Sequence, residues 1–181
     1  MEENKKRTDS KKAICLALFL LLKKYPYESI SVKQISERAG VSRMSFYRYF
    51  KNKEDVFIYY SDERFIEFND IIHEKHLTNL HDLIVEFLIF VSSFKESIDI
   101  LIDINKYTIM LPQYEKYVAY LWRKFINPKK SNTNVLDKYA VSFVSGGLYN
   151  TTFKWFKDGC KDDPVEIANE LYALLTKYAF K

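Results

Sequence analysis

The segment between Ser31 and Phe50 combines guanidinium, hydroxyl and aromatic side chains in a short stretch, and these groups are suited to contacting a polyanion. Arg43 and Arg48 lie five residues apart within it. A guanidinium group can donate two parallel hydrogen bonds to a guanine base, whereas hydroxyl and aromatic groups contact phosphate and sugar. These side chains therefore favour a role in DNA binding for this segment.

The elements that would position these side chains are two short helices, predicted over residues 31–38 and 42–50. The spacing of Ser31 and Gln34 is typical of a capping box at a helix start. Gly40 can adopt the left-handed conformation that ends a helix, and Ser42 is a favoured cap for the next one. Two short helices joined by a glycine-containing turn predict a helix-turn-helix, with an inward face formed by Ile35, Ala39, Val41, Phe46 and Phe50.

The outward side chains of this unit have distinct predicted roles. Arg43 is expected to pair with guanine, and Met44 is expected to contact a thymine methyl group. The hydroxyl, aromatic and remaining cationic groups are expected to contact the sugar-phosphate backbone. The predicted DNA-contacting residues are Ser31, Lys33, Ser42, Arg43, Met44, Ser45, Tyr47, Arg48, Tyr49 and Lys53.

The positive charge of the chain is concentrated near its N-terminus. Residues 1–60 carry 13 Lys and Arg against 7 Asp and Glu, whereas residues 61–181 carry 15 against 17. A basic N-terminal part followed by a slightly acidic remainder indicates that only the first part meets a polyanion. Charge alone leaves a membrane surface open as the polyanion, whereas the helix-turn-helix favours double-stranded DNA.

The sequence from about Arg7 to Ile58 resembles the DNA-binding part of the TetR family of transcriptional regulators. The most specific matches are residues 35–42 (ISERAGVS), 45–50 (SFYRYF) and 51–56 (KNKEDV). Met44 departs from the Gly, Pro or Ala of many relatives, which leaves the base preference at that point open. Beyond about residue 75 the resemblance is one of layout, with a long penultimate helix that has Trp155 near its end.

This resemblance implies several functional expectations. The family residues that match Ser31, Lys33, Arg43, Met44, Ser45, Tyr47, Tyr49 and Lys53 face DNA. We expect a repressor that binds a palindromic operator as a homodimer and is released by a small-molecule effector bound in its helical body. The alternative is a co-activator or regulator that acts mainly through a protein partner, and the sign of regulation rests on the resemblance alone.

The whole chain is predicted to be all-α, with about nine helices. It contains only 4 Gly and 4 Pro, which favours long uninterrupted helices, and no sustained alternation indicates a strand. The first helix is expected from about Ser10 to Lys24, and a loop is expected near residues 127–133. We expect a DNA-binding domain over residues 1–58 and a helical ligand-binding and dimerisation domain over residues 59–181.

The predicted helix over residues 134–158 is unusual because no charged residue occurs from Tyr139 to Phe153. A helix on the surface of a monomer needs a polar outer stripe. Two adjacent glycines also lower its helix propensity, which is reasonable where another backbone passes closely. We therefore expect a homodimer interface, although a central helix buried in one subunit remains open. The predicted interface residues are Tyr139, Phe143, Gly146, Gly147, Asn150 and Phe153.

The effector is unknown from the sequence, but the body is rich in aromatic residues. These rings could line an apolar pocket or could simply form the core, and the sequence leaves both interpretations open. An effector that enters such a pocket would itself be apolar or aromatic. The rings considered are Phe87, Tyr107, Tyr114, Tyr117, Tyr120, Trp122 and Phe125.

Other patterns indicate no additional chemistry. His73, His76 and His81 lack an accompanying Cys or carboxylate set for zinc, so we expect no metal, no cofactor and no enzymatic activity. Two distant cysteines suggest reduced thiols in a cytoplasmic protein. The ten apolar residues 13–22 are too few to span a bilayer, and no membrane association is expected.

Overall fold

The computed structural model describes residues 2–126 and 135–179, with side chains over 7–125 and 138–177. These residues form nine α-helices and no strand, which confirms the predicted all-α class. Short 3-10 turns cover Tyr27–Ser29 and Tyr107–Met110, and π-helical turns cover Trp122–Ile126 and Leu175–Ala179. The helices are α1 (Glu2–Leu22), α2 (Val32–Ala39), α3 (Arg43–Tyr49), α4 (Glu54–Glu74), α5 (Leu80–Ser92), α6 (Lys95–Asp103), α7 (Leu111–Leu121), α8 (Val135–Lys157) and α9 (Pro164–Leu174).

Local sequence signals explain where most of these helices begin. The side chains of Ser31, Ser42, Asn79 and Asp163 each accept a hydrogen bond from a backbone N–H in the first turn that follows. By contrast, α1 begins at Glu2 rather than near Ser10, since the preceding polar stretch is rich in Glu, Lys and Arg, which are good helix formers. The predicted loop at 127–133 lies outside the described residues.

Backbone contacts divide the chain into two compact units. The first comprises the chain up to Glu63 together with Ile100–Met110, and the second comprises Arg64–Asp99 and the chain from Leu111 onward. The first unit thus contains a segment from the middle of the sequence as well as the N-terminal helices. Both α4 and α6 have residues in each unit.

The first unit holds α2 and α3 through a core of large apolar side chains. The ring of Phe57 lies 5.9 Å from the rings of Phe19 and Tyr27, and the ring of Phe46 lies 5.7 Å from that of Phe50. Burial of each such side chain contributes roughly 1.5–3 kcal/mol. The fully buried side chains of this unit include Ile14, Leu18, Ile30, Ile35, Phe46, Val56 and Phe57.

The second unit is a separate helical body. Ile84 and Leu88 of α5 pack with Trp155 of α8 and Ala168 of α9. The indole N–H of Trp155 donates to the carbonyl oxygen of Asp162 at 3.1 Å, which ties the end of α8 to the start of α9. Two further clusters are formed by Phe68, Ile72 and Leu83, and by Trp122, Val141 and Val144.

The three histidines lie in the second unit, and His81 has the most defined environment. One ring nitrogen lies 2.8 Å from the Asn169 side-chain oxygen and the other lies 3.2 Å from the Asp82 carboxylate. These acceptors raise the pKa of His81 above its ordinary value. Over the described ranges, no group of three or more His, Cys, Asp and Glu side chains is placed to hold a metal. Nor does any described helix combine the length and apolarity needed to cross a bilayer.

The turn between α2 and α3 generates a prediction about stability. Gly40 has a φ of 67°, and an alanine there would be strained although its Cβ would meet no atom within 4 Å. We expect Gly40→Ala to lower the free energy of unfolding by roughly 1–2 kcal/mol, since an L-residue resists this conformation. Urea denaturation followed by circular dichroism measures the change.

The matched control for this prediction is Gly40→Asn, because asparagine tolerates the left-handed region better than alanine. We expect it to lose clearly less stability. Equal losses for the two variants, or no loss for alanine, would contradict a requirement for positive φ at the turn.

Candidate nucleic-acid interface

The first helix of the pair, α2, begins with the capping box that its sequence predicts. The Ser31 hydroxyl accepts a hydrogen bond from the Gln34 N–H at 3.2 Å, and the Ser31 N–H donates to the Gln34 side-chain oxygen at 2.8 Å. Ser31 is exposed, so its hydroxyl both supports the helix start and lies at the surface. Lys33 is also exposed, with its ammonium 3.9 Å from the Glu37 carboxylate, and such a surface pair is weak.

A tight turn connects α2 to α3. Gly40 takes the left-handed conformation, and the Val41 N–H donates to the Ser36 carbonyl oxygen at 3.0 Å. The Ser42 hydroxyl then accepts from the Ser45 N–H at 3.0 Å and lies 3.0 Å from the Ser45 hydroxyl. Ser42 and Ser45 are both predicted to contact DNA, and in the structure their hydroxyl groups lie together at the capped start of α3.

The side chains of α3 separate into two faces. Phe46 is fully buried and the capping residue Phe50 is almost so, and both pack into the core of the first unit. On the other face Met44 is 75% exposed and Tyr47 is 60% exposed. Arg43 and Arg48 are exposed on this same side, whereas Ser45 and Tyr49 are half-buried. Arg43 and Tyr47, like Met44 and Arg48, are four residues apart, and Met44 and Tyr47 are three apart. Residues at these spacings are neighbours on a helix surface, so α3 presents two guanidinium groups, a thioether and a phenol next to one another.

Lys53 is placed differently from the other predicted contacts. Its ammonium donates to the carbonyl oxygens of Tyr27 and Ile30, both at 2.8 Å, and lies 4.0 Å from the centre of the Tyr27 ring. The side chain is therefore half-buried and is used within the first unit. Its hydrogen bond to Ile30 joins the residue directly before α4 to the residue directly before Ser31.

Lys106 also lies over the Tyr27 ring, although the sequence did not predict it as a residue of the site. Its ammonium is 3.2 Å from the Glu54 carboxylate and 4.8 Å from the centre of the Tyr27 ring. Lys106 belongs to the segment 100–110 that the first unit includes. No local pattern marks it, because the ion pair spans 52 residues of sequence.

The surroundings of Tyr27 and Glu54 shift the pKa values of both side chains. Burial, followed by interaction with the Glu54 carboxyl group, raises the pKa of the Tyr27 hydroxyl well above its ordinary value. Partial burial acts to raise the pKa of Glu54, but the Tyr27 hydroxyl, the Glu54 N–H and the Lys106 ammonium together lower it below its ordinary value. The raised pKa of Tyr27 keeps its phenol neutral at neutral pH, and the lowered pKa of Glu54 keeps its carboxyl group ionised.

Two family models cover most of the chain. The model described as "Bacterial regulatory proteins, tetR family" matches residues 17–60, which include α2 and α3. The model described as "Transcriptional regulator C-terminal region" matches residues 78–177, which is more than half of the chain. The chain belongs to the TetR family. Its N-terminal region is accordingly a DNA-binding domain, and the protein is a transcriptional regulator.

Solved structures of similar fold support this TetR-family architecture. The dihydroxyacetone kinase operon activator DhaS has 19% identity and a TM-score of 0.61, and the match covers 93% of this chain and 94% of that one. The fatty acid degradation regulator FadR from Bacillus halodurans has 18% identity and a TM-score of 0.52, with 92% and 94% covered. At these identities the likeness shows the fold alone. A search of curated protein sequences gives no match.

The predicted interface residues of this TetR-family protein do not all lie on one face of α8. Tyr139 is 66% exposed and Phe143 is 76% exposed. Gly147 and Asn150 are exposed as well, and Gly146 is half-buried. Phe153, however, is only 3% exposed, and its ring lies 4.6 Å from that of Tyr149 within the second unit. The uncharged run therefore supplies both an outward stripe and part of the subunit's own core.

The capping role of Ser42 and its predicted DNA contact can be tested separately. We expect Ser42→Ala to lower the free energy of unfolding by about 1 kcal/mol, because the Ser45 N–H loses its partner. Ser42→Asp retains a capping oxygen, so its stability should stay near that of the wild type, while its carboxylate repels phosphate and weakens DNA binding. Urea denaturation and fluorescence anisotropy with labelled duplex DNA measure the two effects.

Undiminished DNA binding by Ser42→Asp would contradict a position for this residue beside the phosphate backbone. Undiminished stability of Ser42→Ala would contradict the cap. The two results are independent of each other.

Proposed function

We propose that this protein is a homodimeric, effector-responsive repressor that binds a palindromic operator through α2 and α3. The observation that carries the DNA-binding mode is the division of α3 into a buried face and an exposed cationic and aromatic face. Phe46 fixes the rotation of the helix in the core, and this rotation directs Arg43, Met44 and Tyr47 outward. A helix that presents its N-terminal side chains in this way suits the major groove.

The exposed residues divide by the chemistry of their contacts. Arg43 is assigned to guanine, since its guanidinium matches two acceptors on the base edge, and Met44 is assigned to a thymine methyl group. Tyr47 and Arg48 are assigned to sugar and phosphate, with Tyr47 close enough to the helix start to reach a base edge. Ser45 and Tyr49, which are half-buried, contribute through their hydroxyl groups.

The proposal of a homodimer rests on the outward stripe of α8. Tyr139, Phe143, Gly147 and Asn150 follow one another at intervals of three or four residues, so they lie along one side of the helix. Large apolar groups with this much exposure are unusual on a monomer when they are grouped. A methyl group at Gly147 would meet no atom within 4 Å in the subunit, which leaves room for a neighbouring backbone.

The last helix supplies a second stripe for the same interface. Val165 and Tyr172 of α9 are exposed and lie seven residues apart, which places them on one side of that helix. We infer that α8 and α9 pack against their copies as a four-helix interface. The proposed interface leaves out Phe153, because that ring is buried within the subunit.

A two-fold dimer also fits the size of the DNA-binding helix. α3 is 7 residues long and offers few side chains to DNA, so a single copy would bind weakly. Two copies related by a two-fold axis read two half-sites about 34–36 Å apart, one turn of the duplex. The operator is therefore expected to be palindromic.

The effector is proposed to bind in the second unit. The ring of Tyr114 lies 5.4 Å from that of Tyr149 and 6.3 Å from that of Phe153. The Thr152 hydroxyl donates to the Leu148 carbonyl oxygen at 2.7 Å. Such an interior favours an apolar or aromatic molecule with few polar groups. The effector lowers DNA affinity when it binds more tightly to a conformation in which the two DNA-binding domains of the dimer are wrongly spaced. The loss of affinity cannot exceed this difference in binding free energy.

The alternative function is a co-activator that acts mainly through a protein partner. The structurally similar DhaS is named an operon activator, which is the observation in favour. The two functions differ in whether the purified protein binds DNA by itself. Selection of duplexes from a random pool by the purified wild-type protein distinguishes them, because a protein-dependent co-activator would enrich none.

Arg43 and Arg48 give a paired prediction on a duplex enriched in this way. We expect Arg43→Ala to weaken binding to that duplex by about 1–3 kcal/mol and to relax the base preference at one position. Arg48→Ala should instead weaken binding to all sequences alike and reduce the slope of log K against log salt by roughly 0.9. Anisotropy titrations at several salt concentrations measure both.

The control for this pair is Lys161→Met, which removes a cation from the second unit, outside the residues 17–60 that match the N-terminal family model. We expect no change in affinity or salt slope. If Arg43→Ala and Arg48→Ala reduce binding to the enriched and random duplexes equally, the division between base and phosphate contacts is wrong.

The interface is tested by placing a charge on the outward stripe. We expect Phe143→Glu to shift the protein from dimer to monomer in sedimentation velocity, because two carboxylates would face each other across the two-fold axis in an apolar contact. Leu16→Glu is the matched control, since Leu16 is a similarly exposed apolar residue in the first unit. A wild-type monomer, or equal dimerisation of both variants, would refute the proposed interface.

A further inference from the structure

The cluster around Tyr27 joins three parts of the first unit. Tyr27 lies in the turn before α2, Lys53 and Glu54 lie at the start of α4, and Lys106 lies in the segment 100–110. The two ammonium groups are 4.0 Å and 4.8 Å from the centre of the Tyr27 ring. Cation–π contacts of this kind hold a cation over an aromatic face and strengthen as water is removed.

We propose that Lys106 is a positioning residue for the DNA interface and acts through Glu54, Tyr27 and Lys53. This inference rests on the proposed DNA-binding mode of α2 and α3. Lys106 is not itself assigned a contact with DNA. Its ion pair holds Glu54 at the start of α4. The residue directly before Glu54 is Lys53, whose ammonium binds the backbone at the entry of the helix-turn-helix.

The route from Lys106 to the interface is short. Lys53 donates to the Ile30 carbonyl, and Ile30 directly precedes Ser31, the cap of α2. Lys53 also follows Phe50, the last capping residue of α3, by three positions. The hydrogen bond from Lys53 to Ile30 therefore joins the residue before the cap of α2 to a residue three positions after Phe50, which caps the end of α3.

Removal of the Lys106 ammonium changes the electrostatic balance of this cluster. The Glu54 carboxylate loses its ion pair, and the ammonium of Lys53 becomes the remaining cation of the cluster that can neutralise it. Movement of that ammonium toward Glu54 gives up hydrogen bonds to the carbonyls of Tyr27 and Ile30. Lys106 thus keeps Lys53 available for the backbone of the turn.

The experiment compares the full-length wild type with Lys106→Met and Lys106→Arg on the enriched duplex. We expect Lys106→Met to bind roughly two- to thirty-fold more weakly, which is the range for substitutions that act through a network. Lys106→Arg should restore most of the affinity, because a guanidinium can also pair with Glu54. Lys161→Met serves again as the control for loss of a cation.

The salt dependence of binding separates positioning from direct contact. A lysine that neutralises a phosphate changes the slope of log K against log salt by roughly 0.9 when it is removed. We expect the slope for Lys106→Met to equal that of the wild type despite the lower affinity. A reduced slope would assign Lys106 a direct phosphate contact and would overturn its role as a positioning residue.

Glu54→Gln provides a second test that does not depend on the folding of Lys106→Met. Removing a carboxylate close to DNA strengthens binding on electrostatic grounds alone, whereas the positioning role predicts weaker binding. In the Glu54→Gln background, Lys106→Met should cause little additional loss, because the two residues act as one unit.

Three further results would overturn the inference while the proposed function stands. They are unchanged affinity of Lys106→Met, stronger binding by Glu54→Gln, and additive losses in the double variant. Circular dichroism and thermal melts accompany each titration, so that a loss of folding is not mistaken for a loss of positioning. If the wild type enriches no duplex, the proposed function fails, and the inference fails with it.

Discussion

The ammonium group of Lys53 lies 2.8 Å from the carbonyl oxygens of Tyr27 and Ile30, and these two hydrogen bonds join the ends of the α2–α3 unit. Tyr27 begins the short 3-10 turn before α2 and Ile30 ends it, and the Tyr27 carbonyl oxygen also accepts a hydrogen bond from the Ile30 N–H at 3.2 Å. A charge-assisted donor fixes them more firmly than a neutral one. The position of Ser31, and with it the start of α2, follows from this contact. In the proposed positioning role, the Glu54–Lys106 ion pair keeps the Lys53 ammonium available for these two carbonyls.

Features that depend on neighbouring residues were predictable from the sequence. The caps at Ser31 and Ser42 and the left-handed Gly40 were all predicted, because each is decided within one turn of helix. The family was predictable for the same reason, since its motifs are contiguous. The internal use of Lys53 was not predictable, because its partners lie 23 and 26 residues away. Inclusion of the segment 100–110 in the first unit likewise depends on long-range packing that no local pattern encodes.

Helix α8 shows that the absence of charge along a sequence does not determine which residues of a helix are buried. The absence of charge from Tyr139 to Phe153 predicts either a dimer interface or a helix buried in one subunit, but a helix turns by 100° at each residue and divides such a run between faces. Phe143 lies outward and Phe153 lies in the core, although both are phenylalanines in the same uncharged stretch. Only the neighbouring helices determine which face is covered. The number of helices was predictable from the same chain, because it depends on periodicity and breaks and not on rotation.

The separation of the two faces of α3 also has an evolutionary consequence. The anchoring of the helix depends on Phe46 and Phe50, whereas Arg43, Met44 and Tyr47 are exposed, with the Tyr47 ring 5.5 Å from that of Phe46. Exposed substitutions away from caps and cores usually change stability by no more than about 0.5 kcal/mol. Under the proposed DNA-binding mode, a lineage can therefore exchange these outward side chains and acquire a new target sequence without first acquiring compensating changes elsewhere. Specificity can diverge among descendants of such a protein while their scaffold stays constant.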